Sequence, residues 1–310
     1  MKTKILDGYQ LAFYYQKKLL DEARALRLSE TKLVIAAILF HEDIGSQLYT
    51  RLKKELAEDL GIEYRVFSFS VVDDQQKIID KLQKLNKQTD ITGIIIQKPW
   101  RKTWIKASGY SMEEGKDKFG KWWRELVSVL DINKDVDGLH PSNLSTLQEG
   151  GWRAKGRVLP ATCQATIRLL EKAFETEHLF AHLRDNSLKT VIIGKSDLLG
   201  QPLYAVLSSK KCSVEMIGSQ ELKTRIEDNI FLKDADVIVT ATGRKNLING
   251  SMVKEGSVII DVGEPNGDVD QDSVMNIAAA VTPVPGGVGP MTVVSLMENA
   301  FWLHQMKSMI

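Results

Sequence analysis

"VIIGKSDLLGQP", residues 191–202, decides the fold. An apolar run ends at Gly194, and a helical pattern starts near Leu198. A strand that turns through glycine into a helix opens a βαβ unit, and the N–H groups at such a helix start can hold a pyrophosphate. The spacing is not a Walker loop, because Lys189 stands where its first glycine would be. Nor is it a strict G-x-G-x-x-G, since Ser196 takes the second glycine's place. A plain β-turn-α connection would read the same way. Lys195 is placed either to meet a phosphate or to be solvated.

Working outward, the same rhythm fills the second half. "TCQATIRLLEKAF" (162–174) reads as a helix, "LKTVIIG" (188–194) as a strand and "LLGQPLYAVLSSK" (198–210) as a helix. "SVEMIG", "ADVIVTATG" and "GSVIIDVG" supply three more strands. The first half repeats the plan with "LVIAAILF" (33–40), a helix over 46–62 ending at Gly61, "YRVFSFS", a helix over 73–87, and "ITGIIIQ" (91–97). Alternation of this kind predicts an α/β protein of two domains, each a mainly parallel sheet with flanking helices. The second is of Rossmann type. The Gly-rich "EGGWRAKG" (149–156) separates them. Residues 1–148 form one domain, 149–289 the other, and a helix over 290–310 is expected to pack back on the first. The working site of such sheets lies beyond the carboxyl ends of the strands, so a cleft between the domains is expected.

Composition narrows the classes. A net charge of +1 argues against broad nucleic-acid binding, and 43% hydrophobic content suits a sizeable core. The longest apolar run, Leu33 to Phe40, is far too short to span a bilayer. The start, "MKTKILDGYQ", lacks the apolar stretch of a secretory signal. With Cys163 and Cys212 alone, neither a disulfide framework nor a zinc knuckle is expected, and a reducing cytoplasm is the natural location.

One segment breaks the rhythm. Residues 100–124, "WRKTWIKASGYSMEEGKDKFGKWWR", hold four of the six tryptophans and seven Lys or Arg. They read as a surface flap with a short amphipathic helix. Aromatics interleaved with basic residues also suit nucleic acid or an anionic tail.

Several side chains could carry chemistry. Tyr49 and Lys53 stand four apart, on one helix face. A lysine taken out of water gives up its proton more readily and can then act as acid and base, although a helix lysine is ordinarily solvated. Gln97 ends a very apolar strand, where a polar side chain must find partners. "KDVDGLHP" (134–141) is an acidic turn. Thr242 and Gly243 in "TATGRKN", and the strand end "IIDVGEPNGDVD" (259–270), place glycine where a ribose or flat ring could approach, or where an ordinary turn is needed. His178 and His182 have the i, i+4 spacing of metal ligands but no third ligand nearby, so no metal is expected. Cys163, near a helix start, has no evident base and is expected to be a buried thiol.

The most unusual stretch is "VTPVPGGVGPMTVVSL", residues 281–296. Pro283 and Pro285 lock φ, while Gly286 and Gly287 let the backbone come close to a planar ligand. Pro290 suits the first turn of the final helix. This loop is expected to line the cleft, or else to be a stiff hinge.

Taken together, "SQLYTRLKKELAEDLGI", "DVDGLHP", "VIIGKSDLLGQP", "VKEGSVIIDVG" and "TPVPGGVGPMT", in that order, give the chain a close resemblance to the bifunctional methylenetetrahydrofolate dehydrogenase/methenyltetrahydrofolate cyclohydrolase family. The resemblance implies oxidation of 5,10-methylenetetrahydrofolate with NADP, NAD being possible, and hydrolysis of the methenyl product to 10-formyltetrahydrofolate. It implies one-carbon metabolism feeding purine biosynthesis, a folate substrate and a homodimer. By the same resemblance Lys53 is the lysine that handles protons, Gln97 holds it, Asp137 hydrogen-bonds the pterin and Tyr49 packs on the folate. Gly194, Lys195 and Ser196 match the cofactor turn, Ser219 lies near the adenosine ribose, and Thr282 lies where cofactor and substrate meet.

The chain departs from the family pattern at Ala161, Cys163 and Ala165, in "KPWR" after Gln97, in the length of segment 100–124, and at Glu264 and Pro265. These changes leave open the loss of one activity. A shikimate- or amino-acid-type dehydrogenase, and a cofactor-binding protein whose flap recruits a partner, are the competing readings.

Overall fold

The computed structural model describes residues 2–28, 32–263 and 266–307. Along the chain run β1 (Lys4–Ile5), α1 (Gly8–Leu28), β2 (Val34–Phe40), α2 (Ile44–Asp59), β3 (Glu63–Phe69), α3 (Gln75–Lys87), β4 (Gly93–Ile96), α4 (Arg101–Ser108), α5 (Met112–Ser128) and α6 (Pro141–Glu149). There follow α7 (Ala161–Phe174), α8 (Leu179–Asp185), β5 (Thr190–Ile193), α9 (Gly200–Ser209), β6 (Val214–Ile217), α10 (Ser219–Glu227), β7 (Val237–Thr240), β8 (Val258–Asp261), α11 (Gln271–Val274), β9 (Ala280–Val281) and α12 (Val288–Lys307). The chain is a two-domain α/β protein built on parallel sheets. Its contacts divide it into two compact units, one of Met1–Tyr15, Thr146–Gly151 and Leu159–Ser295, the other of Gln16–Ser145, Trp152–Val158 and Leu296–Ile310.

The first unit holds a six-stranded sheet in the order β1-β9-β8-β7-β5-β6, every ladder of it parallel. Strands β5, β7 and β8 are short apolar runs buried at every position, as strands covered on both faces must be. Val191, Ile193, Ile238 and Ile259 meet Leu222, Leu232 and Val274 in its core. Each such side chain contributes about 1.5–3 kcal/mol by leaving water. The described residues up to Tyr15, read by sequence with the amino-terminal domain, make their contacts in this unit, where β1 pairs with β9, Lys4 level with Ala280 and Ile5 with Val281.

The second unit holds a three-stranded parallel sheet, β3-β2-β4. Central β2 is buried almost throughout. Ile35 stands level with Tyr64 on β3 and Gly93 on β4. A Cβ at Gly93 would lie 2.1 Å from Val136 Cγ2, so glycine there lets residues 134–136 run alongside β4. Ile94 N–H donates to Lys134 O at 2.7 Å, and Ile94 bridges Asp135. The last helix returns to this sheet: Asn299 Nδ2 donates to Val136 O at 2.9 Å, and Lys307 Nζ to Ile91 O at 2.9 Å.

The segment 100–124 is not a surface flap. It forms α4 and most of α5, joined through Gly109 in the left-handed region (φ 72°). Trp104, Phe119, Trp122 and Trp123 are buried among Phe40, Ile96 and Leu126 and form the core beneath the sheet. The rings of Trp104 and Trp122 lie 5.5 Å apart, and those of Phe40 and Trp122 5.2 Å apart. The two helices meet at Gly115, where a Cβ would lie 2.7 Å from Ile105 Cγ1. The lysines of the segment stay outside; Lys118 lies over the Tyr110 ring at 3.9 Å.

Trp123, 2% exposed, tests this arrangement. Trp123→Ala should cost about 3–5 kcal/mol in urea unfolding, and removal of residues 101–123 should leave this unit unfolded. A shortened chain that melts like the parent would return the segment to the surface.

Candidate active site

Helix α2 starts at Asp43, whose carboxylate accepts from Ser46 N–H at 3.0 Å and from Thr103 Oγ1 at 3.1 Å. The cap therefore ties the helix start to the chain that follows β4. Ser46, Thr50, Lys53 and Ala57 form the buried face, at the spacing of successive turns. Lys53 is only 4% exposed. Its Nζ donates to Gln97 Oε1 at 2.9 Å and lies 3.6 Å from Asp137 Oδ2. Tyr49, one turn earlier, is half-buried. The buried lysine head group thus has one neutral acceptor and one carboxylate for partners.

Two further residues complete this cluster. Asp135 is buried, and its carboxylate accepts from Gly138 N–H at 3.0 Å and His140 N–H at 2.7 Å. That double contact folds the turn that carries Asp137. Burial pushes the Asp135 carboxyl up to about 7, with the charge of Asp137 adding to the effect and the backbone N–H groups opposing it. Tyr64 is buried on β3, and its hydroxyl has no hydrogen-bond partner among the described residues. Burial, then the charge of Asp137, holds that phenol in its neutral form.

The six-stranded unit carries a second constellation. Gly194 leaves β5 with φ 121°, a region open to glycine. A Cβ at Gly194 would lie 2.8 Å from Ala241 O, and one at Gly200 would lie 1.9 Å from Gly194 O. Only a turn without these Cβ atoms closes so tightly before the first turn of α9. Ser196 Oγ accepts from Leu199 N–H at 3.3 Å, and Gln201 Nε2 donates to Lys195 O at 3.1 Å. Lys195 Nζ is ion-paired with Glu221, just past Ser219 at the start of α10.

Beyond β7, Asp268 organises the Thr242–Gly243 turn. Its Oδ2 accepts from Thr240 Oγ1 at 2.6 Å and Thr242 N–H at 2.7 Å, and its Oδ1 from Arg244 N–H at 2.7 Å. Asp261 accepts from the N–H groups of Gly263, Asp268 and Val269 at 2.8–3.1 Å. Burial nonetheless raises it to about 6. Thr282 is fully buried, its Oγ1 accepting from Asp261 N–H at 2.7 Å. In the loop that follows, the Val284–Pro285 peptide is cis and Gly286 has φ 102°. The loop packs on the start of α1: Gly8 N–H donates to Gly286 O at 2.8 Å, and a Cβ at Gly8 would lie 1.7 Å from Gly287 O.

The model of the tetrahydrofolate dehydrogenase/cyclohydrolase catalytic domain matches residues 6–112, and that of the same family's NAD(P)-binding domain matches residues 160–308. The chain belongs to the tetrahydrofolate dehydrogenase/cyclohydrolase family. It is similar to the bifunctional protein FolD of Staphylococcus aureus (strain JH9), 32% identical over 314 residues that cover 99% of this chain and 98% of the relative. Among solved structures it resembles the Trypanosoma brucei N5,N10-methylenetetrahydrofolate dehydrogenase-cyclohydrolase complexed with NADP cofactor and inhibitor (TM-score 0.83, 25% identity, all of both chains). It also resembles a 5,10-methylenetetrahydrofolate dehydrogenase of the silkworm Bombyx mori (TM-score 0.79, 29% identity, 99% of this chain and 100% of that one).

The departures from the family pattern fall in different surroundings. Ala161, Cys163 and Ala165 lie in the first turns of α7 and are buried. Burial also pushes the Cys163 thiol up, away from a reactive thiolate. Trp100, in "KPWR", packs on the start of α2; a Cβ at Gly45 would lie 2.8 Å from its ring. Glu264 and Pro265 lie outside the described residues. The His182 ring packs against Phe174 in a tilted pair, centroids 4.8 Å apart, and His178 precedes α8. Among the described residues no His, Cys, Asp or Glu cluster could hold a metal, and no helix is long and apolar enough to cross a membrane.

Sequence reasoning passed over Asp135, Tyr64, Glu221 and the Asp261–Asp268 pair. The pair had a signal, two aspartates in one glycine-rich strand end; Tyr64 had none, because a strand tyrosine is ordinary. Asp135 gives a pH test. Its folded value stands above the ordinary 3.8, so its contribution to stability is complete in acid and is lost as pH rises from about 4 to about 7. Urea midpoints of the parent chain and Asp135→Asn should therefore converge or cross as pH rises through that window. A difference that stays constant from pH 4 to 8 would contradict the raised carboxyl.

Proposed function

We propose that the chain oxidises 5,10-methylenetetrahydrofolate to 5,10-methenyltetrahydrofolate with a nicotinamide dinucleotide, and then hydrolyses that product to 10-formyltetrahydrofolate. A homodimer, common in the family, is the assembly we expect. One observation carries the reading: Lys53, buried on α2, with Gln97 Oε1 at 2.9 Å and Asp137 Oδ2 at 3.6 Å.

The tight glycine turn between β5 and α9 fits a pyrophosphate, whose charges favour a helix start. A dinucleotide held there supplies the hydride acceptor. The chain's own residues do the rest. The Gln97 oxygen holds the Lys53 amine in one orientation. Asp137 supplies negative charge beside a cationic methenyl group and accepts hydrogen bonds from the pterin. In its neutral amine form Lys53 takes the proton of the attacking water, becoming the ammonium, and returns that proton to the departing ring nitrogen. Tyr49 packs on the folate, and we assign Pro283, Pro285, Gly286 and Gly287 to the same ligand on the family resemblance. Gly194, Lys195, Ser196, Ser219, Thr242, Gly243 and Thr282 are assigned to the dinucleotide on that resemblance. Thr282 acts through its backbone and packing, since its hydroxyl is engaged with Asp261.

The competing reading of a binding protein that recruits a partner through segment 100–124 loses its basis, because Trp104, Trp122 and Trp123 are core. Lys53→Met should abolish hydrolysis of methenyltetrahydrofolate, at least 100-fold in rate, and leave dinucleotide affinity within twofold. Stopped-flow loss of methenyl absorbance reads the first and calorimetry the second. Hydrolysis at the parent rate would remove the role of Lys53.

A further inference from the structure

We propose that Glu221 sets the choice of dinucleotide, so that the chain binds NAD⁺ in preference to NADP⁺. The inference rests on reading the six-stranded unit as the dinucleotide site and adds which nucleotide it takes. β5 and β6 are parallel neighbours, with Ile193 level with Ile217. The turn after β5, Gly194–Ser196, and the turn after β6, Gly218–Glu221, therefore stand side by side at one edge of the sheet. In such sheets the pyrophosphate lies at the first turn, and the adenosine ribose reaches the end of the next strand.

At that strand end stands a carboxylate. Glu221 Oε2 accepts from Gly218 N–H at 3.1 Å, and Oε1 holds Lys195 Nζ. Lys195 reaches across: its Cε lies 3.5 Å from where a Cβ on Gly218 would stand. Lys195 by itself would attract a 2′-phosphate. Paired with Glu221 it presents no net positive charge. The pair instead offers an acceptor for a ribose hydroxyl, while a 2′-phosphate would bring up to two negative charges against a third. Ser219 can hydrogen-bond either group and does not discriminate. The next cations on α10 are engaged elsewhere, Lys223 with Glu227 at 3.5 Å and Arg225 with Glu215 at 2.5 Å.

Titration calorimetry of the full chain with NAD⁺ and with NADP⁺, without folate, tests this. NAD⁺ should bind at least tenfold more tightly. Glu221→Gln should shift that ratio at least tenfold toward NADP⁺. Lys195→Ala, which removes the cation and leaves the carboxylate, should widen the preference for NAD⁺. Because Glu221 also caps α10, the Lys195 variant keeps the test open if Glu221→Gln fails to fold. Tighter NADP⁺ binding by the parent chain overturns the inference, as does a ratio that neither variant moves. Binding of neither nucleotide would instead overturn the dinucleotide reading itself, and with it this inference.

Discussion

One ammonium group kept out of water organises half of this chain. Removing the partners of a buried charge costs about 3–5 kcal/mol, so Lys53 on α2 demands specific neighbours. Gln97 supplies one where β4 ends, and Asp137 supplies the other where the chain leaves the sheet edge. Each requirement passes outward. Gly93 leaves room for residues 134–136 beside β4. Asp135 folds the turn that presents Asp137. Asp43 fastens the start of α2 to Thr103, beyond Gln97. The chemistry of the lysine and the packing of its unit are thus one problem with one solution.

The six-stranded unit solves a different problem. Its strand ends must stay open toward a ligand while their backbone groups remain satisfied. Buried aspartates do this work: Asp268 holds the turn after β7 and Asp261 the turn after β8, each through several N–H groups. Glycines let turns close to distances that a Cβ would forbid, at Gly200 against Gly194 and at Gly8 against Gly287. The proline- and glycine-rich loop is thereby explained in part by the chain itself: its glycines pack backbone against the start of α1.

Legibility varied with the range of the interaction. The Tyr49–Lys53 pair could be read because helical period is local, and the β5–α9 turn because glycine between a strand and a helix has few uses. Segment 100–124 misled for the opposite reason. Its tryptophans are interspersed with lysines along the chain, but folding two helices about Gly109 sorts them, Trp104, Trp122 and Trp123 into the core with Phe40 and Ile96 and the lysines outward. Lys195 read as a free cation because Glu221, its partner, is 26 residues away.

By itself the sequence determined the parallel α/β plan, its two α/β units, the family and the candidate residues for its chemistry. These follow from apolar period, glycine placement and motif order, all properties of short stretches. Tertiary structure alone decided that Asp135 folds the turn carrying Asp137, that β1 joins the six-stranded sheet, that Trp104, Trp122 and Trp123 are core, and that Lys195 is paired. The last three depend on groups distant in the chain competing for the same buried space or the same charge, and no local pattern records the outcome of that competition.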